Sequence, residues 1–144
     1  MPRHPWLAVL LVLTLIAGPS PFAAANDITG PVRVIDGDTL VVGEQRVRIE
    51  GLHAPELRDA FGPEARDFVV DLIAQDAVRC VGNGRRSYNR VVARCFLSDG
   101  RDIAAALVAA GLGRDCARFS GGRYATLETA AGRTHDLPDY CRPR

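Results

Sequence analysis

Val32-Arg33-Val34-Ile35-Asp36-Gly37-Asp38-Thr39-Leu40-Val41-Val42-Gly43-Glu44-Gln45-Arg46-Val47-Arg48-Ile49-Glu50 is the stretch that decides the fold. Val32–Ile35 and Thr39–Val42 are β-branched runs parted at Gly37, where the lack of a side chain permits a bulge or a sharp bend. Gly43-Glu44 turns the chain into Arg46–Glu50, in which Val47 and Ile49 alternate with polar neighbours as in a half-buried strand. The pattern predicts a three-stranded meander. Arg48 points to the face opposite Val47 and Ile49, and alternation alone leaves open whether that face is a site or solvent.

Outward from the meander, Gly62-Pro63-Glu64 opens a helix whose apolar positions Ala65, Phe68, Val69, Leu72 and Ile73 fall on one stripe. Ala77–Val81 and Val91–Leu97 read as two further strands, joined by a loop from Gly82 to Asn89 that delivers Arg90 to a strand start. Asp102 caps a second helix, Ile103–Ala110, which stops at Gly111. Arg123–Ala131 reads as a third, weaker helix ended by Gly132. There are no internal repeats. Helices after the third and fifth strands do not alternate regularly with them as a parallel sheet requires. A β-rich α+β chain is therefore expected, built as a small, partly open, five-stranded Greek-key barrel with three helices.

Arg3 and His4 precede an apolar run, Trp6 to Ala17, shorter than the about 18 residues of a membrane span, and the small-residue exit Ala23-Ala24-Ala25 follows. Residues 1–25 read as a secretory signal and 26–144 as one domain, long enough for one core. A secreted or periplasmic monomer without lasting membrane association is expected. Of the 18 basic residues only Arg3 precedes residue 26, so the remainder balance the 17 acids. A neutral domain does not hold nucleic acid by its overall field, and any phosphate site must be local. Every basic residue is arginine, whose planar fork suits phosphate, although a genome-wide coding bias is the plainer cause.

All four cysteines lie beyond residue 25 and none is spaced Cys-x-x-Cys, which fits disulfides in an oxidising compartment and speaks against a zinc site. Three connectivities are open; chain order favours Cys80–Cys95 and Cys116–Cys141. Each bridge would stabilise the fold by roughly 3 kcal/mol in the chain-entropy model. The second would pin the Pro-rich tail, residues 136–144, which has no periodicity of its own.

Around the meander the chain collects Asp36, Asp38, Arg48 and, in Leu52-His53-Ala54-Pro55-Glu56, a glutamate; Ser87-Tyr88-Asn89-Arg90 adds a second arginine. Acids to hold a cation and arginines to hold phosphate suit metal-assisted phosphodiester cleavage. Each residue also has a plainer reading. Asp-Gly is common turn chemistry, Glu56 alone is a solvated loop residue, and Arg85, Arg86 and Arg90 are ordinary surface charges. Tyr88 either stacks on a base or merely covers its loop. The chain has no Gly-x-x-x-x-Gly-Lys loop, no His-Glu-x-x-His and no Gly-x-Ser-x-Gly, which removes support for nucleotide-triphosphate, zinc-protease and acyl-hydrolase chemistry.

Taken in order, Asp36-Gly37-Asp38-Thr39, Arg48, Pro55-Glu56, Gly62-Pro63-Glu64-Ala65 and Tyr88-Asn89-Arg90 resemble the staphylococcal nuclease (thermonuclease) family over roughly Val32 to Ala131. The resemblance implies an OB-fold barrel and calcium-dependent hydrolysis of DNA and RNA that leaves 3′-phosphates. It implies Asp38 as a metal ligand, His53 at a second ligand position, and the Ala54 carbonyl on the same ion. Glu56 would activate or orient water, while Arg48 and Arg90 would grip the phosphate. Arg85, Arg86 and Tyr88, in the loop that carries Arg90, are read beside these as further substrate contacts. The sequence departs from the family at His53, since imidazole brings neither the charge nor the hard oxygen that calcium prefers. Weak calcium binding, a borderline ion such as manganese or zinc, or a binding module without catalysis all follow from that change. Ala117 and Phe119 stand about where the family presents tyrosines to the base, and the tail ends in the Cys141 segment instead of a longer helix and tryptophan.

Overall fold

The meander forms around the bend at Gly37. The computed structural model describes Met1 and residues 26–144, so the expected signal segment lies, but for Met1, outside the described residues. The elements in chain order are β1 (Asp27–Ile28), β2 (Val32–Asp36), β3 (Thr39–Val42), β4 (Gln45–Ile49), β5 (Leu52–His53), α1 (Gly62–Ile73), β6 (Arg79–Ser87), β7 (Arg90–Phe96), α2 (Ile103–Ala109), β8 (Arg114–Asp115) and α3 (Ala117–Ser120). Three short 3₁₀ turns, Ala125–Leu127, Gly132–Thr134 and Asp139–Cys141, finish the chain.

Six strands form one mixed sheet in the order β1-β6-β7-β4-β3-β2, and β5 pairs with β8 in a second, two-stranded sheet. The protein is thus β-rich with three helices, in keeping with an OB-like fold. The expected five strands give way to eight, and the larger sheet ends on β1 and β2 without hydrogen-bonded closure among the described residues. β2 and β3 pair antiparallel with a register shift between Val34 and Asp36, just before the Gly37–Asp38 turn that joins them. β4 lies antiparallel to β3 and parallel to β7, placing Arg48 opposite Thr39 on one side and Val92 on the other.

Val47 and Ile49 are buried with Leu40, Val42, Val69 and Leu107 in one core, closed by the inner faces of α1 and α2. Burial of these aliphatic side chains, at roughly 25 cal/mol per Å², is the main force holding sheet to helices. Pro63 opens α1 as expected. Gly62 is required there because a Cβ would collide with the Glu56 backbone, so this glycine lets the Pro55–Glu56 loop lie against the helix start. Asp102 caps α2 through Oδ1 and, through Oδ2, accepts hydrogen bonds from Arg94 at 2.9 Å and the Tyr124 hydroxyl at 3.0 Å.

Two expectations are corrected. The stretch Gly82–Asn89 is mostly strand, since β6 continues to Ser87 across an irregularity between Gly82 and Arg86. Gly82-Asn83-Gly84 looks like a loop because glycine and asparagine mark both loops and bulges; here the Asn83 side chain accepts from the Arg85 N–H at 2.9 Å and steadies the irregular segment. The third helix is not Arg123–Ala131 but the single turn Ala117–Ser120. Within 123–131 only Tyr124 is buried, so a helix would have no apolar face to cover. Glu128 and Thr129 instead accept from the backbone N–H groups of Asp115 and Gly132. Cys80 and Cys95 are register partners joined across β6 and β7, and Cys116 is joined to Cys141. No helix among the described residues is long and apolar enough to cross a membrane.

Candidate active site

Five segments of the chain wall one pocket of about 470 Å³. β4 brings Arg48, the loop after β5 brings Glu56, and the β6–β7 hairpin brings Arg85, Arg86, Tyr88 and Arg90, while α3 and the tail add Phe119 and Tyr140. Volume alone does not single this pocket out, because a cleft of about 480 Å³ lies between Thr29 and the β6 start. Among the described residues the only charged one lining that cleft is Arg79, which is paired with Asp27 at 3.2 Å. Four arginines in the first pocket make a local positive field on a domain whose overall charge balances.

The pocket is the face that alternation left undecided for Arg48. With Val47 and Ile49 turned into the core, Arg48 emerges on the opposite side of β4, its side chain only 14% exposed. Nη1 lies 3.0 Å from Asp38 Oδ2 and donates to the Ile49 carbonyl at 3.1 Å, while Nη2 donates to the Leu52 carbonyl at 2.7 Å. Arg90, at the start of β7, donates from Nη1 to Thr39 Oγ1 at 3.0 Å and from Nη2 to Ser87 Oγ at 3.1 Å. The Thr39 hydroxyl in turn donates to Asp38 Oδ1 at 3.1 Å. Asp38 and Thr39 therefore tie both guanidinium groups into one network. Glu56 is exposed at the pocket wall, and its carboxylate has no ion-pair partner among the described residues.

Asp38 sits just past the bend, where a Cβ on Gly37 would come within 2.6 Å of the Ala54 Cβ. That close approach lets the Ala54 N–H donate to Asp38 Oδ2 at 3.2 Å. Burial pushes the Asp38 carboxyl up to about 6, against the pull of Arg48, with the neighbouring Asp36 charge adding to the rise. It remains ionised at neutral pH and pairs with Arg48. His53 is half-buried on β5, opposite Arg114, with a hydrogen bond to the Asp136 backbone. Burial, then the Arg48 charge, push its imidazole below the ordinary histidine value, so it is neutral at pH 7.

Calcium, which the family resemblance implies, needs six to eight oxygens. Both Asp38 oxygens already accept from protein donors, and Asp36 Oδ1 accepts from the Asp38 N–H at 3.1 Å. His53 offers a neutral imidazole turned towards the tail. Among the described residues no three of His, Cys, Asp and Glu converge on a metal-sized site. The donor set around Asp38, His53 and Ala54 does not fit calcium.

The pocket gathers Arg48, Glu56, Arg90, Arg85, Arg86 and Tyr88, whereas Asp38 stands behind it and His53 and Ala54 are not in its wall. Thr39, the link between the two arginines, went unread because a hydroxyl beside Asp-Gly-Asp has no sequence signature beyond turn chemistry. Tyr140 lies in the aperiodic tail; its neighbour Cys141, once paired with Cys116, was the one signal that could have located it.

Four arginines share this pocket on an OB-like sheet with Glu50, which accepts from Asn83, and the exposed Glu56. The chain belongs to the family of staphylococcal nuclease homologues, whose model matches residues 46–132. It is 34% identical over 119 residues to the succinoglycan biosynthesis protein ExoI of Rhizobium meliloti (strain 1021), covering 75% of this chain and 62% of that protein. It is 32% identical over 106 residues to an uncharacterized endonuclease of Escherichia coli, covering 70% of this chain and 67% of the relative. A third, an uncharacterized endonuclease of Haemophilus influenzae, is 31% identical over 91 residues, 60% of this chain and 49% of its own length. The chain spans about half to two thirds of the relatives it matches.

Proposed function

We propose that this chain is an exported nuclease that hydrolyses phosphodiester bonds of DNA or RNA. The observation that carries the proposal is the shared tether of Arg48 and Arg90 to Asp38–Thr39, beside the free carboxylate of Glu56 in one pocket. Fixed guanidinium groups give up little entropy when phosphate arrives, and they neutralise charge that grows on its oxygens as phosphorus becomes five-coordinate. Glu56 orients water and takes its proton as the oxygen attacks phosphorus, the P–O bond to the leaving sugar oxygen breaks, and that oxygen takes a proton from solvent. Two disulfides support an oxidising compartment and hence export. A divalent ion enters this reading only as a condition to be varied, because the donor set does not build a calcium site.

The neutral His53 favours a second reading, a module that binds nucleic acid without cutting it. Digestion of single-stranded DNA and of RNA by the purified chain, with calcium, with manganese and with chelator, separates the two. Short fragments that disappear in Glu56→Gln are the expected outcome for the enzyme. Salt-sensitive binding without fragments under all three conditions overturns it in favour of the module.

A further inference from the structure

The face of the sheet that carries Arg48 does not end at the pocket. In the meander, Val32 and Val34 pack against the core, and Leu40, Val42, Val47 and Ile49 are buried in it. Strand alternation therefore turns Arg33, Val41 and Arg46 to the same side as Thr39 and Arg48. Register sets the first three in a row across the strands, with Arg33 opposite Val41 on one side and Arg46 opposite Val41 on the other. At the backbone, Arg46 stands about 7 Å from Arg48 along β4 and about 10 Å from Arg33 across β3. Arg46 also has Arg90 beside it, since the two precede the Val47–Val91 pair on the parallel strands β4 and β7.

Charge sets this row apart. Arg33 and Arg46 are exposed, and neither has a carboxylate partner among the described residues. Arg79, Arg94, Arg101 and Arg114 each pair with one. Asp38, which is nearly buried, is already engaged by Arg48 and Thr39. Like charges side by side on neighbouring strands cost stability, and on a domain whose charges balance no acid offsets these two. The row thus carries the positive field of the pocket outward over residues that do not line it.

We propose that Arg46 and Arg33 hold phosphate groups of a polynucleotide next to the one gripped by Arg48 and Arg90, so that the strand runs from the pocket across the meander towards the β2 edge. The inference rests on the nuclease reading for the pocket end of this path. Steps along the row are comparable with the distance between successive phosphates of an extended strand, and the long arginine side chains cover the remainder. Guanidinium forks meet phosphate oxygens in pairs and read no base. The row therefore adds affinity for length and none for sequence.

The test uses the full chain with two substrates of one base: a dinucleotide, whose single phosphate is the scissile one, and an eight-nucleotide strand. Initial rates give KM and kcat, and anisotropy of the labelled longer strand gives affinity against salt. The expected result is that the wild type favours the longer strand and that Arg46→Gln and Arg33→Gln each lower its kcat/KM a few-fold through KM. Cleavage of the dinucleotide should stay unchanged, and the slope of log affinity against log salt should fall by about 0.7 in each variant. Neither variant should melt below the wild type, and Arg46→Gln should melt slightly above it, because Arg90 loses a like-charged neighbour. Equal losses on both substrates overturn the proposal, since a general field acts on any phosphate, and so does the absence of a loss in both variants. If the wild type binds the longer strand without cutting it and both variants weaken that binding with the reduced slope, the row stands and the hydrolase reading fails.

Discussion

The arginine corner and the histidine corner of this molecule are built from neighbouring residues and have opposite fates. Arg48, on β4, and Arg90, arriving from β7, converge on Asp38 and Thr39 and are fixed by hydrogen bonds of 2.7–3.1 Å. His53, one residue past Leu52 whose carbonyl holds Arg48, turns instead towards the Asp136 backbone and loses its charge. On the proposed reading, the difference teaches that phosphate gripping and cation holding would be separable: the first would rest on backbone carbonyls and a buried carboxylate that the sheet positions, the second on a donor set to which His53 adds no carboxylate.

The largest effect that can break this comparison is loss of an arginine. Arg90→Ala should lower kcat/KM for strand cleavage by roughly 10²–10³, the usual loss when one donor to a transition-state oxygen is removed. Its melting temperature should stay close to that of the wild type, because Arg90 is partly exposed and hydrogen-bonded to side-chain hydroxyls rather than to a charge. Cleavage at the wild-type rate would mean that the shared tether is only structural.

The second effect falls on Asp38, the residue common to both corners. Its folded value of about 6 lies above the 3.8 of an unperturbed carboxyl, so between those values the folded chain holds a proton that the unfolded chain has released. Stability is therefore fullest below about pH 4, declines as pH rises to about 6 and is level beyond. The decline attributable to this group is about 3 kcal/mol. Denaturant titrations of wild type and Asp38→Asn across pH 4–7 check it: the difference between them should shift by that amount across the window. A constant difference would place the carboxyl at or below its ordinary value, with the ion pair to Arg48 cancelling or outweighing burial.

The third effect sharpens the histidine corner. His53→Asp supplies the carboxylate that calcium lacks, beside Asp38 and the Ala54 carbonyl. Calorimetry should show calcium affinity rising at least about tenfold from a millimolar starting point. No gain would show that contacts of the tail at Asp136, not the imidazole itself, keep a cation out.

Which parts of this were legible in the sequence follows from how local each signal is. The meander and α1 could be read because alternation and the i, i+3, i+4 stripe are written in adjacent residues and were then buried as the pattern required. The β6 arm could not, since Gly82-Asn83-Gly84 carries the same residues whether it loops or bulges. The Arg123–Ala131 helix failed because helix-compatible composition says nothing about whether a face exists to cover it. Of the pocket residues, Arg48, Glu56 and Arg90 could be named in advance only through the ordered set of motifs that carries the family resemblance, since each alone reads equally as surface charge. Thr39 takes its meaning from Arg90, 51 residues away along the chain, and Tyr140 from the bond of its neighbour Cys141 to Cys116, 25 residues before Cys141.

The smallest effect distinguishes a pocket arginine from an ordinary surface charge. Arg85 lines the pocket and lies over Phe119, whereas Arg101 is exposed and paired with Asp99 at 2.7 Å away from it. If Arg85 meets the phosphate chain of a bound single strand, Arg85→Ala should weaken binding only a few-fold at moderate salt. It should also reduce the slope of log affinity against log salt by about 0.7, one condensed counterion fewer released. Arg101→Ala should leave the slope unchanged, since a charge that contacts no phosphate releases no ion however basic it is. A shift of equal size in both variants would mean that the strand responds to the general field and not to the pocket. The local site demanded by a domain with balanced charge would then have to be sought elsewhere on the sheet.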